Sequence, residues 1–334
     1  MSRNVADDAS NTDKTTPVFL DRYLIIDSET NPDSLKEIAG TNLTTWLAKH
    51  LPIPLASGQM VNGKISVTVV SNDLVLALKT LAGADPSAAD PVYININGTI
   101  RTITAATSCT LADGTSWMNL GSAELGTLEQ DLFAYAIWDS NSSVVAVAPA
   151  RIPYARLVSD FSATTTNEKH IGNYANYTTT DDVCVIGRFA ATLSLSGTGH
   201  LWTVPAFTNS NLIDCPIFET RWLTYAPTIT GYSANPTSTT YRYQVVGLNV
   251  HLHLGEGATG TSNATTKTYT TPFASKNANQ YVLPLPKDNG AFKAAGIADI
   301  GGNSNTLNMY LSAASAWTNS GGAALDALDG YFEL

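Results

Sequence analysis

Residues 93–100 read Tyr-Ile-Asn-Ile-Asn-Gly-Thr-Ile. Apolar residues alternate with polar ones on both sides of Asn97-Gly98, and an Asn-Gly pair tolerates the positive φ that a tight hairpin turn needs. The stretch predicts a β-hairpin. Upstream, Lys64 to Val70 (KISVTVV) alternates in the same way, and Leu74 to Leu81 follows an Asn72-Asp73 turn. Downstream, Asp113-Gly114 repeats the turn device, and Asp131 to Trp138 and Val144 to Ala148 flank the polar turn 139–143. Val183 to Leu195 (VCVIGRFAATLSL) is a further strand. Farther along, Tyr241 to Val246 and Val250 to Leu254 form a hairpin about Gly247-Leu248-Asn249, and Thr265 to Phe273, Asn305 to Ser312 and Asp329 to Leu334 add strands. Short strands separated by regular turns predict a mainly β chain built of β-sandwich or jelly-roll-like domains.

The N-terminal end reads differently. Residues 1–20 are polar and acidic, and Tyr23-Leu24-Ile25-Ile26 is a short apolar run. One helix is expected over Asn31 to Lys49: Asn31 caps it, Pro32 suits its first position and Asp33 complements its positive end. Leu35, Ile38, Leu43, Trp46 and Leu47 share one face roughly, Gly40 weakens it, and Pro52 and Pro54 stop it. The period changes to two from Gly58, and a second break falls near residues 209–221. The chain therefore divides into an N-terminal segment with a short helix (1–57), a β-rich middle domain (58–215) and a C-terminal β-sandwich module (216–334). The apolar helix residues Leu35, Ile38, Trp46 and Leu47 must bury against something else, which makes the first segment the expected anchor.

Composition narrows the function. Only 14% of residues are charged, against about 25% in a typical domain, so the polar surface is built from Ser, Thr, Asn and Gly. The net charge is −10, with no Lys/Arg run, and nucleic-acid binding needs a basic footprint. No apolar stretch approaches the roughly 20 residues that span a bilayer, and the acidic start is no signal peptide. Five Asn-x-Ser/Thr sequons, at Asn42, Asn97, Asn141, Asn176 and Asn263, read as polar turns. Three cysteines, Cys109, Cys184 and Cys215, are odd in number and have no C-x-x-C spacing, so buried thiols in a chain folded in a reducing cytosol are expected.

Motifs for chemistry are sparse. None of the standard nucleophile, zinc-protease, phosphate-loop, dinucleotide or calcium patterns occurs, and no cofactor is expected. Glu124, Glu129, Asp131 and the Asp181-Asp182 pair are carboxylates that glycoside cleavage would need in pairs; solvated surface acids are the plainer reading. No short repeat supports a long β-helix. Tyr225, Tyr232, Tyr241 and Tyr243 cluster in the C-terminal module. They are candidates for contact with a glycan, set against packing in a sheet or subunit interface. In Val250-His-Leu-His-Leu254, alternation puts Val250, Leu252 and Leu254 on one face and His251 and His253 on the other. The two imidazoles face solvent or a neighbouring subunit, or hold a metal if copies meet there.

Two stretches resemble virion proteins of tailed bacteriophages. From Asn62 to Trp222 the phrases are NGKISVTVVSNDLVLALKTLAGADPSAADPVYININGTIRTITAA, GTSWMNLGSAEL, RIPYARLVSDFSATTTNEK and FETRWLTYAP. From Trp222 to Leu334 the chain looks like a module common at the C-termini of phage structural proteins, through W-x-x-x-x-P-T (Trp222 to Thr228), TGYSANPT, RYQVVG, GTSNATT and AWT…GYFEL. It departs from that module in an insertion-like tract, Asn277 to Ala298, with Pro284 and Pro286. The resemblance implies a non-enzymatic component of the virion, assembled in the host cytoplasm: a tail fibre or other external appendage that contacts the host surface. It further implies a homotrimer joined to other virion proteins through residues 1–57. A capsid-surface decoration or head-fibre protein is the alternative within the same class, and a secreted carbohydrate-binding protein the alternative outside it.

Overall fold

The computed structural model describes residues 22–26, 35–39, 55–158, 168–172, 177–196, 199–212, 218–277, 280–282, 284–293, 296–311 and 316–334. The chain is mainly β and sandwich-like. It forms two compact units, Met1–Pro54 and Leu55–Leu334.

In the first unit Arg22–Ile26 pairs antiparallel with Leu35–Ala39. This corrects the start of the expected helix. Five residues, Leu-Lys-Glu-Ile-Ala, fit a two-residue period as well as a helical one, and pairing with Arg-Tyr-Leu-Ile-Ile decides between them. The rest of that expected helix, with Trp46 and Leu47, lies outside the described residues, as do the side chains of Leu35 and Ile38.

The second unit begins with the hairpins read from the sequence. Val92–Ile96 and Thr99–Ile103 pair across Asn97 and Gly98, whose φ values are 48° and 91°; Met60–Val61 completes that three-stranded sheet. Gly63–Val70 pairs with Asp73–Thr80. The turn is Ser71-Asn72, both at positive φ, one residue earlier than expected. Thr107–Leu111 adds to the other side of Asp73–Thr80. Gly114 does turn at φ 73°, but no strand follows until Gln130; its N–H instead donates to the His200 carbonyl, 2.7 Å away. A four-stranded sheet then runs Val144–Ala150, Gln130–Asp139, Val183–Ser196, Gly199–Thr203. Val183–Ser196 carries a bulge between Val185 and Gly187. A Cβ at Gly187 would sit 2.7 Å from the Ile65 side chain.

Among the described residues the single α-helix is Ala206–Leu212. Its sequence, Ala-Phe-Thr-Asn-Ser-Asn-Leu, has no helical apolar period, which is why sequence reading passed over it.

The C-terminal half packs an eight-stranded sheet with a five-stranded one. At the centre of the larger sheet, Thr237–Val246 pairs with Asn249–Ala258, which pairs with Gly322–Glu333. The tract with Pro284 and Pro286 supplies Leu285–Asp288, which lies along the same terminal strand with a register shift at Leu285/Pro286. The smaller sheet holds Ile229–Thr230, Lys267–Thr270, Thr306–Tyr310, Ile297–Ile300 and Gln280–Val282.

Contacts about Arg221 and Arg151 join the two halves of this unit. Asp131, on a middle strand, accepts hydrogen bonds from the Arg221 backbone N–H (2.8 Å) and from its guanidinium (2.6 Å). Arg151, 2% exposed, donates to the carbonyls of Met118 (3.2 Å) and Pro272 (3.1 Å) and stacks 3.9 Å from the Phe273 ring centroid. The Tyr243 hydroxyl donates to Gln130 Oε1. With no carboxylate partner among the described residues, this buried guanidinium is tolerable because its forked donors meet fixed carbonyls and its face meets a ring.

Candidate functional site

The histidine strand positions the site. Val250, Leu252 and Leu254 are at most 2% exposed, so alternation throws His251 and His253 onto the outer face of the larger sheet. Register then fixes their neighbours. Arg242, His253 and Asp329 lie in one cross-strand row, and Gln244, His251 and Tyr331 in the next. Thr224 extends the first row. Trp222 stands at the margin with the Arg242 guanidinium 5.8 Å from its ring centroid.

The geometry is a flat, wet platform over a dry layer. Tyr331 is 68% exposed and Trp222 45%. His253 Nδ1 lies 2.6 Å from Asp329 Oδ1. A carboxylate only accepts, so Nδ1 is the donor in this contact. The His251 and Tyr331 rings lie 6.1 Å apart, tilted by 49°. Such a surface offers ring faces for stacking together with donors and acceptors at fixed spacing. No group of three His, Cys, Asp or Glu side chains is gathered for a metal anywhere among the described residues.

The four tyrosines proposed for glycan contact lie on the opposite, buried side. Tyr225, Tyr232, Tyr241 and Tyr243 are between 1% and 9% exposed, and edge-to-face contacts link Tyr225 to Tyr243 and Tyr243 to Phe273. Their rings pack inside the sheets, the alternative the sequence reading set against glycan contact. The signal was present in Thr-Tyr-Arg-Tyr-Gln-Val-Val, residues 240–246: alternation puts Tyr241 and Tyr243 with Val245 inside, and Arg242 and Gln244 outside.

Behind these tyrosines sits a buried carboxylate. Glu256, 4% exposed, accepts from the hydroxyls of Tyr241 (2.9 Å) and Tyr269 (2.8 Å) and from the Leu325 N–H (2.6 Å). Burial pushes its pKa above the usual carboxylate value, although those hydrogen bonds and the charge of Lys267 pull the other way. Lys267, itself fully buried, donates to Ser262 Oγ (2.6 Å) and the Ala264 carbonyl (3.2 Å); burial lowers its pKa. Gly231, in the TGYSANPT phrase, turns at φ 91° beside it, and a Cβ there would lie 2.3 Å from the Thr266 carbonyl oxygen.

The acids considered for glycoside cleavage are each engaged. Glu124 accepts from the Thr228 and Thr270 hydroxyls. Glu129 and Asp131 share Arg221. Asp181 accepts from Ser140 Oγ (2.6 Å) and the Thr178 N–H (2.9 Å). Burial there opposes ionisation, but these hydrogen bonds together outweigh it and hold the carboxyl below its usual pKa. Asp182 accepts from Asn97 Nδ2 at 3.2 Å. Cys109 and Cys184 are both buried thiols, and burial pushes the Cys184 thiol up to about 11; Cys215 lies outside the described residues. No helix among the described residues is long and apolar enough to cross a membrane. No protein-family model, curated protein or solved structure matches the chain.

Proposed function

We propose that the protein is a non-enzymatic structural component of a tailed-bacteriophage virion, an external appendage of the tail-fibre type that assembles as a homotrimer and touches the host surface. The observation that carries this reading is the outer platform of the larger sheet, where Trp222, Arg242, His251, His253 and Tyr331 are displayed over a layer of buried Val and Leu. Exposed rings beside fixed polar groups suit a host surface glycan. The two stretches that resemble phage proteins fold into one interlocked β body, as a particle component that must keep its shape outside the cell requires. Residues 1–57 attach this body to other virion proteins.

A capsid-surface decoration protein would use the same platform, so location is the test. Gold-labelled antibody against the C-terminal half should mark the tail or its fibres on intact particles. Label on the head would move the protein to the decoration class, and label absent from particles would overturn the virion reading. Sedimentation at micromolar concentration should give a trimer; a monomer would remove that part of the proposal. Deletion of residues 1–57 should leave a folded remainder that no longer joins particles.

A further inference from the structure

A second surface lies away from the platform, between the edge strand Gly63–Val70 and the segment 202–210. It is a groove of about 880 Å³. Six successive residues of the strand, Lys64 to Val69, line it. Successive side chains of a strand point to opposite faces, so a groove that meets all six meets the main-chain edge of the strand, not one face. That edge is open among the described residues: Gly63–Val70 ends its three-stranded sheet, with Asp73–Thr80 as its only strand partner there. The turn Ser71-Asn72 closes on the pair Val70↔Asp73. In a two-residue hairpin the closing pair exchanges both hydrogen bonds, and the pattern then alternates. The N–H and C=O groups of Ile65, Val67 and Val69 therefore point outward, into the groove.

The far wall adds buried donors. Trp202 is 1% exposed and Asn209 6%, both line the groove, and neither Trp202 Nε1 nor Asn209 Nδ2 has a protein acceptor. The orientation of the Asn209 amide is fixed by chemistry. Its Oδ1 accepts from the Ala190 N–H at 2.8 Å, and an N–H can only donate, so the atom left over is the NH₂ donor. Lys64 and Lys79 also line the groove; Lys79 is paired with Asp85 at 2.6 Å, while Lys64 donates to the Leu81 carbonyl at 2.9 Å and has no carboxylate partner among the described residues.

We infer that this groove binds an extended polypeptide segment of a partner protein, which adds as a strand to Gly63–Val70, turns carbonyl oxygens toward Trp202 and Asn209, and carries an acidic side chain near Lys64. A polypeptide alone supplies alternating N–H and C=O groups at the repeat of a strand edge; a glycan does not. The inference is independent of the virion reading.

The test uses the full-length protein and a bead-displayed library of capped heptapeptides with alternating Thr/Val and Asp/Glu positions. Peptides selected from it should protect the amides of Ile65, Val67 and Val69 from hydrogen exchange. Val67→Pro removes an outward N–H without touching the hairpin ladder, and Asn209→Asp keeps the acceptor for Ala190 while replacing the donor by a second acceptor. Each should weaken binding about tenfold or more, the scale of one hydrogen bond, with an unchanged circular dichroism spectrum as proof of folding. No selected binder, or binders indifferent to both substitutions, would overturn the inference. So would protection of the same amides by neutral oligosaccharides in place of peptides.

Discussion

Asp131 and Glu256 are both buried carboxylates, 2% and 4% exposed, and the chain satisfies them in opposite ways. Asp131 lies where the middle strands meet the C-terminal half and is met by charge: the Arg221 guanidinium at 2.6 Å and Arg188 Nε at 3.9 Å. Glu256 lies inside the C-terminal sheets and is met by neutral donors, two tyrosine hydroxyls and a backbone amide. A charge-paired acid ties together stretches of chain that are distant in sequence, because removing either partner strands the other charge. An acid held by neutral donors organises one core but remains costly to ionise there. The contrast separates a joint from a packing motif.

The largest effect should follow from breaking the joint. Asp131→Ala leaves Arg188 buried without its carboxylate, and a loss of about 3–5 kcal/mol is expected, read from urea denaturation. Glu256→Ala leaves buried hydroxyl and amide donors without an acceptor and should cost about 2–4 kcal/mol. It should leave the contacts of Arg221 intact, which hydrogen exchange of its amide would register.

The third prediction concerns pH. Burial raises the pKa of Glu256 from the ordinary value of 4.5. The folded state therefore holds this proton more tightly than the unfolded chain does. Its contribution is fully present below about pH 4.5 and is lost as pH rises through the elevated folded value. Glu256→Gln cannot titrate. Between pH 4.5 and pH 8 the wild-type urea midpoint should fall relative to that of Glu256→Gln, and a relative rise would refute the assignment. The smallest effect belongs to the platform. Trp222→Ala and Tyr331→Ala remove exposed rings and should change stability by no more than about 0.5 kcal/mol each, while weakening attachment of particles or purified protein to host cells.

Much of the fold was legible because alternation is a local property. Val250-His-Leu-His-Leu254 announced its own inside and outside, and Asn97-Gly98 announced its turn. The platform was legible only in part. The histidines came from one strand, but Asp329 and Tyr331 stand beside them through the pairing of Asn249–Ala258 with Gly322–Glu333, which no short window contains. Buried Arg151 was invisible for the same reason, since its acceptors Met118 and Pro272 come from distant segments. In Leu35–Ala39 local signals were worse than silent: a plausible cap and proline favoured a helix, and pairing with Arg22–Ile26 overrode them. The groove beside Gly63–Val70 depends on which edge of a sheet stays open, and topology alone decides that.

The position of Gly322–Glu333 also bears on the order of events during synthesis. It is flanked by Asn249–Ala258 and Gly260–Ser262 on one edge and by Leu285–Asp288 on the other. The larger sheet cannot close until residues 322–333 have left the ribosome, and the earlier strands must wait with their edges bare. Pairings this distant in sequence close slowly, and waiting edges invite aggregation. A chain cut short before residue 322 lacks the strand that all three of these neighbours pair with, and their edges stay bare.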